Sequence, residues 1–225
     1  MESAMTSIIA PSILSADFTR LGADLAACAA AGADWIHVDV MDGEFVPNLT
    51  FGAKVIDAVR RATALPVDVH MMVVRPERYL EDFAGAGATR LTIHAEATAH
   101  VQRHLVAIRS LGCAAGLAVN PATPLGVAGE VAGDIDTLLV MTVNPGFGGQ
   151  AFIPASVDKI ARARALLDAA GSTAIVEVDG GIARDTIRAC HRAGAGVFVA
   201  GNAIFSAADP CREIAALRAA AAEVA

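Results

Sequence analysis

The chain has 225 residues, of which 55% are hydrophobic, 4% aromatic and 18% charged, and its formal net charge at pH 7 is −7. This length suits one α/β barrel better than two domains, and the hydrophobic share is large enough for a sizeable core. A negative chain whose lysines are Lys54 and Lys159 offers no basic face for nucleic acid.

Short runs rich in β-branched residues alternate with Ala-rich segments of helical periodicity along the chain. Asp17 is expected to cap the first helix, Pro76 to begin the third, and Ser156 to open the sixth. The alternation predicts eight parallel strands, at Ile8–Leu14, Trp35–Val40, Val67–Val73, Arg90–His94, Cys113–Val119, Thr137–Met141, Ala174–Val178 and Gly196–Ala200.

Eight strand–helix units in this length average about 28 residues each, which is compact but feasible for a barrel. We therefore expect a single (β/α)8 TIM barrel over residues 1–225, with an open doubly wound sheet as the competing architecture. In such a barrel the chemistry occurs in the loops that follow the carboxyl ends of the strands.

Targeting and membrane signals are weak in this sequence. The amino-terminal residues contain no cationic region followed by a long apolar run, so no signal peptide is expected. Residues 110–129 lack charged side chains, but prolines and glycines interrupt them, which predicts a strand, a turn and a helix start instead of a membrane span. Reduced, mostly buried thiols in a cytoplasmic protein are expected from the absence of a C-x-x-C pair among Cys28, Cys113, Cys190 and Cys211.

Unusual polar residues fall at the ends of predicted strands. His37 and Asp39 are two residues apart on the second strand and therefore face the same side, with Met41 next in that row. His70 lies on the third strand and Asp179 directly follows the seventh. Two imidazoles and two carboxylates at one rim can bind Zn²⁺, Fe²⁺, Mn²⁺ or Co²⁺. Hydrogen-bonded histidines and helix-capping aspartates remain the alternative at this point.

Glycine-rich segments follow the last three strands, at residues 143–152, 179–182 and 200–205. Glycines let backbone N–H groups approach a ligand closely, and the segment from Asn202 can present a helix N-terminus to an anion. Phosphate at this position is recurrent in barrels. The pattern predicts a phosphate site, with tight turns alone as the alternative.

A metal beside a phosphate site, with carboxylates but no obvious nucleophile, indicates enolisation of a phosphosugar. A divalent cation polarises a carbonyl and stabilises the enediolate, and two carboxylates on different strands can exchange protons on opposite faces of one carbon. A Schiff-base aldolase needs a lysine at a strand end, whereas Lys54 and Lys159 fall in predicted helices. Barrel decarboxylases and hexulose-phosphate synthases carry an Asp-x-Lys pair on a strand where this chain has His37 and Asp39.

The chain resembles the ribulose-5-phosphate 3-epimerase family over essentially its whole length. The resemblance implies a metal-dependent isomerase of the pentose phosphate pathway that interconverts D-ribulose 5-phosphate and D-xylulose 5-phosphate, commonly as a homo-oligomer. Long and highly specific motifs at 37–52 and 140–153 carry most of it. The full set is APSILSADF (10–18), HVDVMDGEFVPNLTFG (37–52), VHMMVVRPE (69–77), VMTVNPGFGGQAFI (140–153), VEVDGGI (176–182) and VAGNAIF (199–205).

Residue by residue, the resemblance implies one divalent ion (Zn, Fe, Mn or Co) bound by His37, Asp39, His70 and Asp179. It makes Asp39 the proton acceptor and Asp179 the proton donor, with the roles exchanged in the reverse reaction. The methionines that it places around the site are Met41, Met72 and Met141. The residues that it assigns to substrate binding are Ser12, His70, Gly146, Phe147, Gly148, Gly149, Asp179, Gly180, Gly181, Gly201 and Asn202.

Three other functions remain open on the sequence alone. Allulose-6-phosphate 3-epimerases are similar in fold, metal and acids, although Asn144, Gly148 and Gly181 favour the pentulose enzyme. A non-catalytic phosphosugar-binding barrel would explain the glycine segments but not the paired acids. A hydrolytic metalloenzyme would need an open metal position for water.

Two further features lie near the predicted rim. Residues 42–52 and 144–154 are rich in glycine and proline, and we expect them to form a lid that excludes water. His94 and Glu96 end the fourth strand, where they either support the site or serve only the fold.

Overall fold

A computed structural model describes residues 7–223 as a parallel eight-stranded sheet in the order β1-β8-β7-β6-β5-β4-β3-β2. An isolated parallel bridge between Ser12 and His37 joins the two outer strands, so the sheet closes on itself. The barrel prediction is confirmed and the open sheet is wrong. The strands are β1 (Ile8–Pro11), β2 (Ile36–Met41), β3 (Val67–Met72), β4 (Arg90–His94), β5 (Ala114–Val119), β6 (Thr137–Met141), β7 (Ile175–Asp179) and β8 (Ala195–Ala200).

Helices surround the barrel and connect the strands, with short 3₁₀ turns after β1, β3 and β4 at Ile13–Ser15, Pro76–Arg78 and Ala95–Ala97. Among the helices of residues 7–223, none has the length and apolarity that a membrane crossing requires. They are α1 (Leu21–Ala30), α2 (Ala53–Ala62), α3 (Leu80–Gly85), α4 (Val101–Ser110), α5 (Gly126–Glu130), α6 (Ser156–Ala169), α7 (Ile187–Arg192), α8 (Asn202–Phe205) and α9 (Pro210–Ala222).

The first strand is shorter than predicted. The sequence predicts Ile8–Leu14, but β1 ends at Pro11. Ser12 accepts a hydrogen bond from the backbone N–H of Leu14 over 3.3 Å and so caps the 3₁₀ turn that follows. A local hydrogen bond between side chain and backbone outweighs the apolar pattern at this point. The other seven strands agree with their predicted bounds to within one residue.

The predicted helix starts are partly wrong. Asp17 does not cap α1, because its carboxylate accepts hydrogen bonds from the backbone and hydroxyl of Thr19, at 2.9 and 2.7 Å. Pro76 begins a 3₁₀ turn instead of α3. Ser156 opens α6 as predicted.

The two faces of the sheet are buried against different partners. Outward rows, which include Val38, Val69, Leu117 and Val178, pack against the helices in one apolar core and are fully buried. Each such side chain contributes about 1.5–3 kcal/mol through its burial. Within the barrel, a small apolar cluster around Trp35 is separate from that core.

The inward rows also carry buried polar side chains, which is costly unless each polar group is paired.

All four cysteines have free thiols, of which Cys28, Cys113 and Cys190 are buried and Cys211 is exposed. That outcome agrees with the prediction of unpaired, mostly buried thiols. Of the predicted domain, residues 1–6 and 224–225 lie outside the described residues.

Candidate active site

Four polar side chains from β2, β3 and β7 meet inside the barrel, where Asp179 ends β7 and the other three lie within their strands. They are His37, Asp39, His70 and Asp179, and their ligand atoms all lie within 4.8 Å of one another. Asp39 Oδ1 is 3.3 Å from His37 Nε2 and 3.1 Å from His70 Nδ1. Asp179 Oδ2 is 3.7 Å from the same His70 nitrogen. The structure thus brings together the four residues that strand spacing singled out.

Strand register explains the proximity of these groups. Asp39 on β2 is the register partner of His70 on β3, so their side chains lie side by side on the inner face. Asp179 is the last residue of β7, on another part of the ring. Ser12, which follows β1, donates a 2.6 Å hydrogen bond from its hydroxyl to Asp39 Oδ2. The two carboxylates therefore approach one imidazole from different sides of the barrel.

Three of these side chains, Asp39, Asp179 and His37, differ in their affinity for protons. Burial opposes a charge on Asp39, but the charge on His37 and the close approach of both imidazoles hold its pKa well below the usual range. Burial and the negative charge of Asp39 raise the pKa of Asp179 to about 7. Burial also opposes a charge on His37, yet Asp39 and the hydrogen-bonded Asp68 raise its pKa well above the usual value. The two acids thus hold protons to different degrees, as an acid–base pair requires.

The cluster fits a divalent cation. His37 Nε2 is buried, and Asp39 Oδ1 lies 3.3 Å from it in a geometry that makes no hydrogen bond, so within residues 7–223 this nitrogen has no hydrogen-bond partner. Leaving a buried polar atom unpaired costs about 1–3 kcal/mol, and a cation bound among these groups would supply the missing partner. Imidazole nitrogens with carboxylate oxygens are donors that suit Zn²⁺, Fe²⁺, Mn²⁺ and Co²⁺.

Two buried acids below the cluster were not singled out from the sequence. Asp68 Oδ2 accepts a 2.7 Å hydrogen bond from His37 Nδ1, and Glu177 Oε1 is 3.6 Å from the same nitrogen. Burial and the charge of Asp68 raise the pKa of Glu177 well above its usual value. Asp68 lies two residues before His70, and Glu177 two before Asp179. The alternation of side chains along a strand, which singled out His37 and Asp39, could also have identified Asp68 and Glu177.

His94 and Glu96, whose role the sequence leaves open, both contact the cluster or its neighbours. His94 Nε2 lies 2.8 Å from His70 Nε2, and His94 Nδ1 is 3.1 Å from Glu96 Oε2. Hydrogen bonds hold the pKa of Glu96 at about 2, although burial alone would raise it. The fourth strand therefore supports the cluster from the side opposite the two acids.

A cavity of about 560 Å³ opens above the cluster. His37 and His70 lie beneath it and are fully buried. The predicted residues that line it are Ser12, Asp39, Met41, Met72, Met141, Gly146, Phe147, Gly148, Gly149, Asp179, Gly180, Gly181, Gly201 and Asn202. Every residue assigned to the site from the sequence therefore lies at the cavity or directly below it. Side chains missed at the rim include Leu14, Ser15, Val143 and Asp185.

The glycine segments form the wall of the cavity next to β6, β7 and β8. Gly181 has φ +65°, and a Cβ built on it would lie 2.6 Å from the backbone nitrogen of Phe152. Only glycine fits this position without strain, since both its backbone conformation and its close approach exclude a side chain. Asn202 begins α8, and its side-chain oxygen accepts a 2.8 Å hydrogen bond from the hydroxyl of Ser206.

The two segments predicted as a lid lie against each other. Asn48 donates a 3.0 Å hydrogen bond from its side chain to the carbonyl of Gly146. Phe147, next along the chain, is 54% exposed and also lines the cavity. The segments 42–52 and 144–154 therefore meet beside the opening of the cavity.

Comparison with known sequences gives one consistent family. Residues 8–205 match the sequence profile of the Ribulose-phosphate 3 epimerase family. The Ribulose-phosphate 3-epimerase of Synechocystis sp. is 49% identical over 213 residues, which cover 94% of this chain and 93% of the relative. That of Escherichia coli strain K12 is 49% identical over 218 residues, with 96% and 97% covered. The Ribulose-phosphate 3-epimerase 1 of Cupriavidus necator is 51% identical over 205 residues, with 89% and 85% covered.

Comparison with solved structures shows the fold. A crystal structure of KGPDC from Streptococcus mutans superposes with a TM-score of 0.74 at 15% identity, covering 96% of this chain and 97% of that one. A 3-Hexulose-6-Phosphate Synthase superposes with a TM-score of 0.67 at 24% identity, with 96% and 97% covered. Both likenesses concern the barrel architecture alone.

Proposed function

Because the chain belongs to the ribulose-phosphate 3-epimerase family, we propose that it inverts carbon 3 of D-ribulose 5-phosphate to give D-xylulose 5-phosphate, through an enediolate of the sugar. It is an isomerase whose substrate is a small phosphosugar. One observation carries the two-acid mechanism. Asp39 and Asp179 stand on β2 and β7 and converge on one nitrogen of His70, at 3.1 and 3.7 Å.

Inversion of a stereocentre requires one group that removes a proton and another that returns it to the opposite face. Asp39 is the proton acceptor, because its neighbours keep it ionised. Ser12 holds Asp39 Oδ2 through a 2.6 Å hydrogen bond, which leaves Oδ1 turned towards the cluster. Asp179, whose side chain is 17% exposed, faces the cavity and acts as the proton donor. The two acids exchange roles in the reverse reaction.

His37, Asp39, His70 and Asp179 would hold the divalent cation, with zinc or iron as the first candidates and manganese or cobalt as others. When bound, such a cation polarises a carbonyl and stabilises the negative charge that develops beside it. The unpaired His37 Nε2 is the observation that supports a cation here. Met41, Met72 and Met141 surround this end of the cavity with apolar surface that keeps water away from the reacting carbon.

The glycine-rich wall is the proposed site of the substrate phosphate. Backbone N–H groups of residues 146–149, 180–181 and 201–202 can approach phosphate oxygens because all of these residues except Phe147 and Asn202 are glycines. Asn202 contributes its backbone, since its side-chain oxygen is engaged by Ser206. The segments 42–52 and 144–154, which already meet through the Asn48–Gly146 hydrogen bond, close over the bound sugar as a lid.

Asparagine substitutions test the two acids. Asp39→Asn and Asp179→Asn are each expected to lower kcat by about 10²- to 10⁴-fold, because each removes one proton carrier. Asp158→Asn is the control, since Asp158 is 76% exposed on α6, away from the cavity. The assay is a coupled conversion of D-ribulose 5-phosphate, and circular dichroism checks folding. In heavy water the wild-type product should carry deuterium at carbon 3; full activity in either site variant contradicts the mechanism.

Metal removal and substrate comparison separate the remaining functions. Chelator treatment should abolish turnover, and Zn²⁺, Fe²⁺, Mn²⁺ or Co²⁺ should restore it; metal analysis of gently purified protein identifies the ion. No turnover after reconstitution would favour a non-catalytic phosphosugar-binding barrel. Faster turnover of D-allulose 6-phosphate than of ribulose 5-phosphate would favour the alternative epimerase.

The proposal also covers the cellular location, domain organisation and oligomeric state of the enzyme. A cytoplasmic role in the pentose phosphate pathway is supported by the four free thiols, which are typical of a reducing compartment. We take residues 1–225 as one domain, because the described helices all pack around one barrel. A homo-oligomer remains a prediction from the resemblance, and light scattering after gel filtration would test it.

A further inference from the structure

His70 uses its two ring nitrogens in different directions. Nδ1 faces Asp39 and Asp179, whereas Nε2 lies 2.8 Å from Nε2 of His94. Two imidazole nitrogens at this distance share one proton, so one ring donates and the other accepts. The identity of the donor decides whether Nδ1 of a neutral His70 has a free lone pair or carries a proton. A free lone pair is what a metal ligand requires.

Glu96 determines which ring is the donor. Its Oε1 accepts a 2.8 Å hydrogen bond from the backbone N–H of Asn120 and another from the hydroxyl of Thr123. Its Oε2 lies 3.1 Å from His94 Nδ1. A carboxylate engaged in this way only accepts hydrogen bonds, so His94 must carry its proton on Nδ1. His94 Nε2 is then an acceptor, His70 Nε2 is its donor, and His70 Nδ1 keeps a lone pair.

The glutamate is itself held in place. Lys159, which is buried on α6, donates hydrogen bonds from its ammonium group to the carbonyls of Asn120, Pro121 and Thr123, at 2.5, 3.2 and 2.7 Å. The segment 120–123 therefore lies between a fixed cation and Glu96. Its backbone N–H at Asn120 has little freedom to turn away from the carboxylate.

We propose that His94 and Glu96 are positioning residues that direct the lone pair of His70 Nδ1 towards Asp39 and Asp179. Neither residue lines the cavity, so neither is proposed to touch the substrate. In this tautomer Asp39 Oδ1 and His70 Nδ1 are two acceptors 3.1 Å apart, which a cation held by both residues would stabilise.

Metal affinity tests this role, which rests on the proposed metal centre. His94→Phe keeps a ring beside Phe45 and His70 but removes the acceptor, and we expect it to bind Zn²⁺ about 10- to 100-fold more weakly. His94→Gln restores an acceptor oxygen and should bind more tightly than His94→Phe. The control is His104→Phe, because His104 is also a buried histidine beside a glutamate, Glu77 at 3.6 Å, but on α4. Competition with a chelating indicator dye gives the affinities.

The outcomes distinguish failure of the proposed metal centre from failure of the positioning role of His94 and Glu96. Absence of Zn²⁺ binding by the wild-type protein would overturn the metal centre itself, and this inference with it. Equal affinity in wild type and His94→Phe, or equal losses in His94→Phe and His104→Phe, would overturn the positioning role alone. Nitrogen-15 spectra of the zinc-loaded protein add a direct measurement: the Nδ1–H tautomer of His94 supports the role, and the Nε2–H tautomer overturns it.

Discussion

Substitution of Gly181 by alanine should damage both stability and catalysis through a single methyl group. The new Cβ would lie 2.6 Å from the backbone nitrogen of Phe152, and relief to ordinary contact at 3.4 Å requires a movement of about 0.8 Å. Alanine at φ +65° adds about 1 kcal/mol of backbone strain. Overpacking against backbone adds about 1–3 kcal/mol, so the expected loss of unfolding free energy is about 2–4 kcal/mol.

The same movement displaces the segment that carries Phe152, which lines the cavity beside the proposed phosphate site. A displacement near 1 Å at a substrate-positioning group can lower kcat/KM by about 10- to 100-fold. Gly171→Ala is the matched control, because Gly171 has φ +64° and no heavy atom within 4 Å of a built Cβ. It should lose about 1 kcal/mol and keep full activity. Urea unfolding and the coupled assay measure both quantities; equal stability losses with full activity in both variants would refute the reasoning.

Three further substitutions test other contacts. Lys159→Met should lower the unfolding free energy by about 2 kcal/mol, because three partly buried carbonyls lose their donor; Lys54→Met, on an exposed helix position, should stay within about 0.5 kcal/mol of wild type. The pKa of Glu96, lowered from 4.5 to about 2, implies stability that is present above pH 4.5 and lost towards pH 2. Glu96→Gln should therefore be less stable than wild type in urea at pH 6, by about 1 kcal/mol because solvent screens this exposed position, and the difference should shrink as the pH falls. Ser12→Ala should lower kcat/KM by about tenfold or more, since Asp39 loses a charge-assisted hydrogen bond, and an unchanged value would exclude a role for that bond.

Much of the fold and site follows from two periodicities. Alternating apolar runs and helical segments are enough to place eight strands, because buried parallel strands tolerate no long polar interruption. The period of two puts His37 and Asp39 on one face, and closure of the ring then brings Asp179 to the same rim. These features depend on local geometry and on a closed sheet, both of which a sequence can encode directly.

Other features depend on contacts between distant segments. The hydrogen bond between His70 and His94 depends on the register of β3 against β4, and no local sequence pattern predicts that register. Asp17 lies at a helix start in the sequence, yet its carboxylate is engaged by Thr19 before the helix begins. Such competition among nearby hydrogen-bond partners is decided by small free-energy differences that composition and spacing do not reveal.

The boundary between β1 and β2 has a consequence for the motions of the barrel. An isolated bridge at Ser12 and His37 stands there, where each of the other boundaries has a ladder. Opening fluctuations concentrate where few backbone hydrogen bonds cross, and this boundary passes through the cluster that contains His37 and Asp39. A ligand that contacts residues on both sides of the β1–β2 boundary would stabilise it. Amide hydrogen exchange across the whole boundary should therefore slow as the occupancy of the site rises.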